Sequence, residues 1–314
     1  MTNSFDQVLI SDCVLRDGFQ ILPEPVPLPV KKKILKLLVD SGINDAEITS
    51  IVPPKLMPQF ADAAELIAYA NKLDMKTPTV LVPNFKGAER AIAVGARAII
   101  VPISVSETHN KNNLRKSRAD QVIELQKIRQ LIDQQPTGSQ PILCAGISTV
   151  FGCSYEGKVS ESEVFKTIEN CLEAGVDQVG LGDTVGYASP NQVKQVFTTY
   201  KREVGLEKPV SAHFHDTFGL GLANVCAALD VGVRTFDASL CGLGGCPFAP
   251  NASGNITLED LVFLMQKLGM KTSINLDRLL EGQAILREAL PDQTLYGMIN
   301  RAGKYPADFK PERQ

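Results

Sequence analysis

No stretch of this 314-residue chain reaches the roughly 18 consecutive apolar residues that a membrane-spanning helix needs. Its first residues, Met1-Thr-Asn-Ser-Phe-Asp6, lack the basic flank and apolar run of a secretory leader. A surplus of one charge is lacking too: 32 Lys and Arg face 35 Asp and Glu, a net charge of −3. That balance argues against a partner that is nucleic acid or a membrane surface, so an anionic ligand has to be held by a local cationic cluster. Seven dispersed cysteines, an odd number in a chain too long to need staples, fit reduced thiols in a cytoplasm. Low-complexity linkers are missing, and so is any internal repeat beyond an alternation of strands and helices.

What is present is length and periodicity. With 44% hydrophobic residues the chain can bury one large core. Short β-branched runs at 7–14, 44–49, 77–83, 98–104, 141–149, 176–182, 208–215 and 233–240 read as strands. Amphipathic stretches at 31–40, 60–72, 118–134, 161–174, 190–202 and 220–230 read as the intervening helices. Gly42, Gly95, Gly175 and Gly232 each fall between a helix and the next strand, where a left-handed helix stop is expected. Eight strand–helix units are the count that closes a TIM (β/α)₈ barrel, and a doubly wound open sheet is the competing solution. Polar, potentially reactive residues cluster at the C-terminal ends of the first, second, sixth, seventh and eighth strands. Only a closed barrel brings all of those ends round one mouth. The expected organisation is a catalytic barrel over 1–268 with a short helical C-terminal extension, 269–314, holding helices at 276–289 and 293–303.

Histidine is scarce, three residues in all, and two of them form His213-Phe-His215. Alternation along a strand points both imidazoles to one face. An isolated pair of this kind is as often structural as metal-binding, so the choice rests on oxygen partners nearby. Asp17, ending the first strand in Leu15-Arg-Asp-Gly18, is one candidate, although an Arg-Asp pair alone is commonly a surface ion pair. The loop Gly242-Leu-Gly-Gly-Cys-Pro247 to Asn255 follows the eighth strand, so it belongs over the barrel mouth as a lid or a close backbone approach. Either Asn251 or Asn255 can offer a carbonyl oxygen, and spacing does not choose between them.

Taken together, Leu15-Arg-Asp-Gly-Phe-Gln20, Gly182-Asp-Thr-Val-Gly186, the His213-Phe-His215-Asp-Thr217 strand end and Gly242-Leu-Gly-Gly-Cys-Pro247 with Ala252-Ser-Gly-Asn255 resemble the 3-hydroxy-3-methylglutaryl-CoA lyase family. The likeness spans roughly residues 8–285. It implies a metal-dependent barrel lyase that cleaves a short branched 3-hydroxyacyl-coenzyme A to acetyl-CoA and an oxo acid. Carried over by position, the metal ligands are Asp17, His213, His215 and Asn255, a donor set suited to Mg²⁺ or Mn²⁺. Arg16 matches the arginine that steadies the enolate, and Cys246 the loop cysteine of proton transfer. Asp183 and Glu47 fall on acidic positions near the substrate, Gln20 beside the metal, and Ser50 near the acyl group. The resemblance makes Asp183 a candidate base for the alcohol proton, against a structural buried acid.

Such a carrier needs cations. Lys111, Arg115, Lys116 and Arg118 crowd the segment after the fourth strand, either as a phosphate clamp or as a solvated helix face. The chain departs from the family where Ile21-Leu-Pro23 replaces a polar continuation and where Gly180 stands in place of a frequent serine. Both changes border the acyl site, so the acyl group stays open between methylglutaryl and a related branched 3-hydroxy diacid. Competing readings are a Claisen-condensing synthase of the same superfamily, a non-haem iron oxygenase on Asp17, His213 and His215, and a non-catalytic metal-stabilised barrel. A homo-oligomer is left open.

Overall fold

The computed structural model describes residues 6–73, 75–245 and 254–303. Eight parallel strands close on themselves in sequence order: β1 (Leu9–Asp12), β2 (Asp45–Ser50), β3 (Thr77–Leu81), β4 (Ala98–Ser104), β5 (Ile142–Ser148), β6 (Gln178–Asp183), β7 (Val210–Phe214) and β8 (Thr235–Ala238). The barrel expected from the alternating pattern is therefore the fold. Between the strands run α1 (Leu28–Asp40), α2 (Ala63–Ala70), α3 (Phe85–Ala93), α4 (Glu107–Leu114), α5 (Arg118–Asp133), α6 (Glu161–Glu173), α7 (Pro190–Glu203) and α8 (Gly221–Val231), and α9 (Leu258–Lys267) follows β8. Ser106, Ser117, Ser160 and Ser189 each cap a helix, accepting from the backbone N–H three residues on. No described helix is long and apolar enough to cross a membrane.

The four glycines expected as helix stops all have positive φ, 93° at Gly42, 82° at Gly95, 87° at Gly175 and 111° at Gly232. Gly42 also allows a close approach, because a Cβ there would stand 2.4 Å from the Ser273 carbonyl oxygen. Beyond α9 the chain forms α10 (Leu276–Leu280), α11 (Gly282–Ala289) and α12 (Met298–Ala302). The single helix expected over 276–289 is two, broken at Glu281. A Cβ on Gly282 would lie 2.8 Å from Leu240 and 2.9 Å from Leu37, so α11 starts where its backbone presses against the barrel. Leu276, Leu279 and Leu286 are buried in the same apolar core as the barrel helices.

The largest local difference from the sequence expectation is at the end of β1. The strand stops at Asp12, and Val14–Gly18 forms one π-helical turn, with the Asp17 and Gly18 amides both donating to the Cys13 carbonyl. Such wide turns gather at functional sites because they re-aim side chains within a few residues. Buried Asp12 anchors the turn by accepting from the Val14 and Leu240 amides at 2.9 Å each. Burial pushes its carboxyl up to about 7.

Candidate active site and metal centre

Strand register explains which side chains meet. Gly182 pairs with His213 and His213 with Asp237, so these three face the barrel interior together. The ring nitrogens His213 Nε2 and His215 Nε2 lie 3.1 Å apart. Asp17 reaches them from the π turn, and one ligand atom from each of Asp17, His213 and His215 lies within 4.8 Å of the others. Asn255 arrives from the far side of the glycine loop and bridges to His215 by backbone pairing. Its amide donates to Asp17 Oδ2 at 2.7 Å and to the Leu243 carbonyl at 3.1 Å. Among the described residues, Asn255 Oδ1 is a buried acceptor with no hydrogen-bond partner. Orphaned acceptors of this kind are costly unless a ligand satisfies them. An anion, an amide oxygen and two imidazoles converging on one point fit a hard divalent cation, and thiolates are not among the donors.

Glycine geometry builds the rest of the centre. A Cβ on Gly254 would stand 1.8 Å from the Gly244 carbonyl oxygen, so the two limbs of the loop cross where only glycine fits. A Cβ on Gly244 would meet Asn255 Nδ2 at 2.5 Å and Asp17 Oδ2 at 2.9 Å. The root of the loop thus lies against the metal-ligand set. Cys246 and Asn251 fall outside the described residues.

Arg16 occupies the centre of the charged side. Its Nε donates to Glu47 Oε2 at 2.5 Å and its Nη1 to Asp17 Oδ1 at 2.6 Å. Gln20 Nε2 donates to the same Asp17 oxygen at 2.5 Å. Burial opposes the charge on Arg16, yet Glu47 and Asp17 outweigh it and hold the guanidinium firmly protonated. Burial likewise pushes Asp17 up, but the Arg16 guanidinium beside it wins and keeps it below the usual carboxylate range. Burial and the neighbouring His213 lower His215 to about 3, which keeps it a neutral donor. His213 is lowered by burial but raised more by Asp237, whose Oδ2 lies 3.6 Å from Nδ1. A carboxylate on Nδ1 favours the tautomer that leaves Nε2 free to ligate. Asp237 escaped the sequence reading, although a lone acid in the middle of an apolar strand was the available signal.

These groups line one cavity of about 620 Å³ at the C-terminal mouth, within the usual range of small-molecule sites. Arg16, Asp17, Gln20, Glu47 and Ser50 line it, as do both histidines. Arg115 lines it too, held at its rim by a left-handed backbone (φ 56°) that ends α4. The other cations of that segment are engaged elsewhere: Lys111 with Glu107 at 3.3 Å, Lys116 with Glu124 at 3.1 Å, and Arg118 with Glu163 at 2.6 Å. Asp183 is also not among the lining groups. It pairs with outward-facing Phe214 and accepts from the Tyr187 and Ala188 amides at 2.9 and 3.1 Å. Burial pushes its carboxyl up to about 6. The opposite wall is apolar, with Met57 and Phe60 among the lining. Buried Lys31 holds it by donating to the Gln59 carbonyl at 2.6 Å and to Asp62 at 2.7 Å. Gln59 in turn donates to the Leu22 carbonyl at 2.6 Å, tying the wall to the altered Ile21-Leu-Pro23 step.

Comparison with known proteins gives one consistent result. The HMGL-like family model matches residues 7–285. Bovine mitochondrial hydroxymethylglutaryl-CoA lyase is 38% identical over 292 residues, covering 92% of this chain and 87% of the bovine protein. A hydroxymethylglutaryl-CoA lyase of Bacillus subtilis is 36% identical over 286 residues, covering 90% and 93%. Among solved structures, an HMG-CoA lyase from Acinetobacter baumannii in complex with coenzyme A and 3-methylmalate superposes with a TM-score of 0.90 at 37% identity, covering 99% of both chains. A family match over nearly the whole barrel, with relatives above one-third identity, assigns the chain: it belongs to the HMGL-like family.

Proposed function

We propose that this protein is a divalent-metal-dependent lyase that cleaves 3-hydroxy-3-methylglutaryl-CoA, or a close 3-hydroxyacyl analogue, to acetyl-CoA and an oxo acid. The observation that carries the reading is the convergence of Asp17, His213, His215 and Asn255 beside Arg16 at the mouth of the cavity. Asp17, His213, His215 and Asn255 would hold Mg²⁺ or Mn²⁺. When bound, the cation supplies Lewis acidity at the alcohol oxygen.

The residues of the chain do the rest. In retro-Claisen cleavage the alcohol gives up its proton to solvent at the cavity mouth, the C2–C3 bond breaks, C3 becomes a ketone, and the electron pair passes to the thioester enolate. Arg16, locked by Glu47 and Asp17, presents a fixed guanidinium to the enolate oxygen, where charge develops only as the bond breaks. Cys246 in the glycine loop returns a proton to the enolate carbon, a step open to a thiol near neutral pH. Gln20 orients Asp17, and Ser50 sits in the acyl cavity. Arg115 at the rim is placed to meet an anionic group of the coenzyme A carrier, with Lys111 further out on α4. Asp183 acts in this reading through the loop it braces, whose Thr184 lines the cavity. Reduced thiols, free at all six described cysteines, are consistent with a cytoplasmic setting.

The direct test is a coupled assay of acetyl-CoA release from a panel of 3-hydroxyacyl-CoA diacids with Mg²⁺ and Mn²⁺. Metal-dependent release from at least one of them is expected. A requirement for a 2-oxo acid co-substrate, or for O₂, would replace this reading with the synthase or the oxygenase.

A further inference from the structure

A TIM barrel normally fills its interior with layers of bulky branched side chains. Here the β5–β6 side of the barrel does the opposite. Gly146 pairs in register with Gly180, and one layer higher Gly182 pairs with His213. All three glycines line the cavity. None of them has a positive φ, so the backbone does not call for glycine at these positions. A Cβ on Gly180 would have a single neighbour within 4 Å, Ser211 Oγ at 3.0 Å, and otherwise open space. A Cβ on Gly146 would meet only Ile100, at 3.1 Å.

The cavity is therefore two-sided. Charged and ligating groups come from the π turn after β1 and from β2, β7 and β8, whereas β4–β6 present Ile100, Pro102, Ile147, Ser148 and three bare backbones. An empty apolar recess one layer below a metal-binding histidine costs stability, because the missing side chains leave contacts unmade. Apolar ligand surface offsets that cost, and the nearest atoms at the level of Gly146 and Gly180 are Ile100 and the Ser211 hydroxyl.

We propose that the recess over Gly180 and Gly146 receives an alkyl substituent longer than methyl on C3 of the 3-hydroxyacyl thioester, which makes Gly180 a specificity-determining position. This rests on the lyase reading above and narrows its substrate class to longer-branched 3-hydroxy diacids. The hydroxyl and thioester stay with the charged side, and the branch extends across to the glycine side.

The test uses metal-loaded enzyme and a series of 3-hydroxy-3-alkylglutaryl-CoA thioesters with methyl, ethyl, propyl and butyl branches, following acetyl-CoA release. In the unmodified protein kcat/KM should rise with branch length to at least propyl, by up to about fourfold per added methylene. Gly180→Ala and Gly180→Val should lower the butyl-to-methyl ratio of kcat/KM by about tenfold or more. Alanine suits this backbone, so that variant keeps the test alive if valine misfolds. A kcat/KM that falls with every added carbon, or variants that slow all members equally, overturns the proposal while leaving the lyase reading intact. Absence of acetyl-CoA from every member, methyl included, overturns both.

Discussion

Replacing Arg16 with lysine isolates the guanidinium from its charge. Arginine uses Nε for Glu47 and Nη1 for Asp17, at 2.5 and 2.6 Å, and among the described residues its Nη2 carries no protein hydrogen bond. One planar group thus grips two carboxylates and still offers a donor edge to the cavity. A lysine ammonium concentrates its three donors on one atom and cannot span those positions. It keeps one positive charge between Glu47 and Asp17, so the fold should lose no more than about 1 kcal/mol, the scale of an ordinary substitution. What disappears is the fixed donor at the enolate oxygen. Losing one such donor costs about 2.7–4 kcal/mol in the transition state, or roughly 10²–10³ in kcat. The assay is steady-state acetyl-CoA release by Arg16→Lys under saturating Mg²⁺, with thermal unfolding as the control. A fall in kcat with KM nearly unchanged is expected. A change confined to KM would show that Arg16 only binds the ground state, and the enolate argument would fail.

Three further outcomes are expected. Cys246→Ser should retain metal and acyl-CoA binding but lose about 10²–10⁴-fold in kcat; wild-type turnover would remove the thiol from proton transfer. Lys31→Met should destabilise the protein by about 2–4 kcal/mol, near the lower end for a broken buried pair because Asp62 is 21% exposed and can rehydrate. It should also raise KM more than it lowers kcat, since the wall of Met57 and Phe60 loosens; unchanged stability in denaturant unfolding would contradict the anchoring role. Asp12 has a folded pKa raised to about 7 by burial, so the folded state holds its proton to higher pH than the unfolded chain does. Its contribution to stability therefore falls as pH rises from about 4 to about 7. Denaturant unfolding of Asp12→Asn across that window should show a shallower slope than the unmodified protein, and an equal slope would refute the assignment.

The strand–helix alternation and the glycine stops were legible because they are local, set by side-chain period and backbone sterics. His213-x-His215 was legible for the same reason, since alternation alone puts both rings on one face. What escaped depended on register between strands. Asp183 looks like a cavity residue until β6 is set against β7, which turns Gly182 inward with His213 and Asp183 outward with Phe214. Asp237 faces inward by that same register and was missed. The π turn that carries Arg16 and Asp17 has no periodic signature, so the sequence pattern runs the first strand on to residue 14, whereas the structure ends it at Asp12. Lys111 lies within α4 and Arg115 four positions on, just past its end, and only the left-handed turn there separates the cavity-lining side chain from the one paired to Glu107. The break at Gly282 likewise comes from packing against Leu37 and Leu240.

The central claim is that Asp17, His213, His215 and Asn255 hold one divalent cation on which turnover depends. Its most direct test is titration of chelator-stripped protein with Mn²⁺, following bound metal and acetyl-CoA release in the same samples. The account predicts an inactive stripped enzyme, one site per chain, activity rising in step with occupancy, and loss of both in Asp17→Ala and His215→Ala while the fold persists. Full activity in the stripped enzyme, or unaltered metal binding in those two variants, would contradict it.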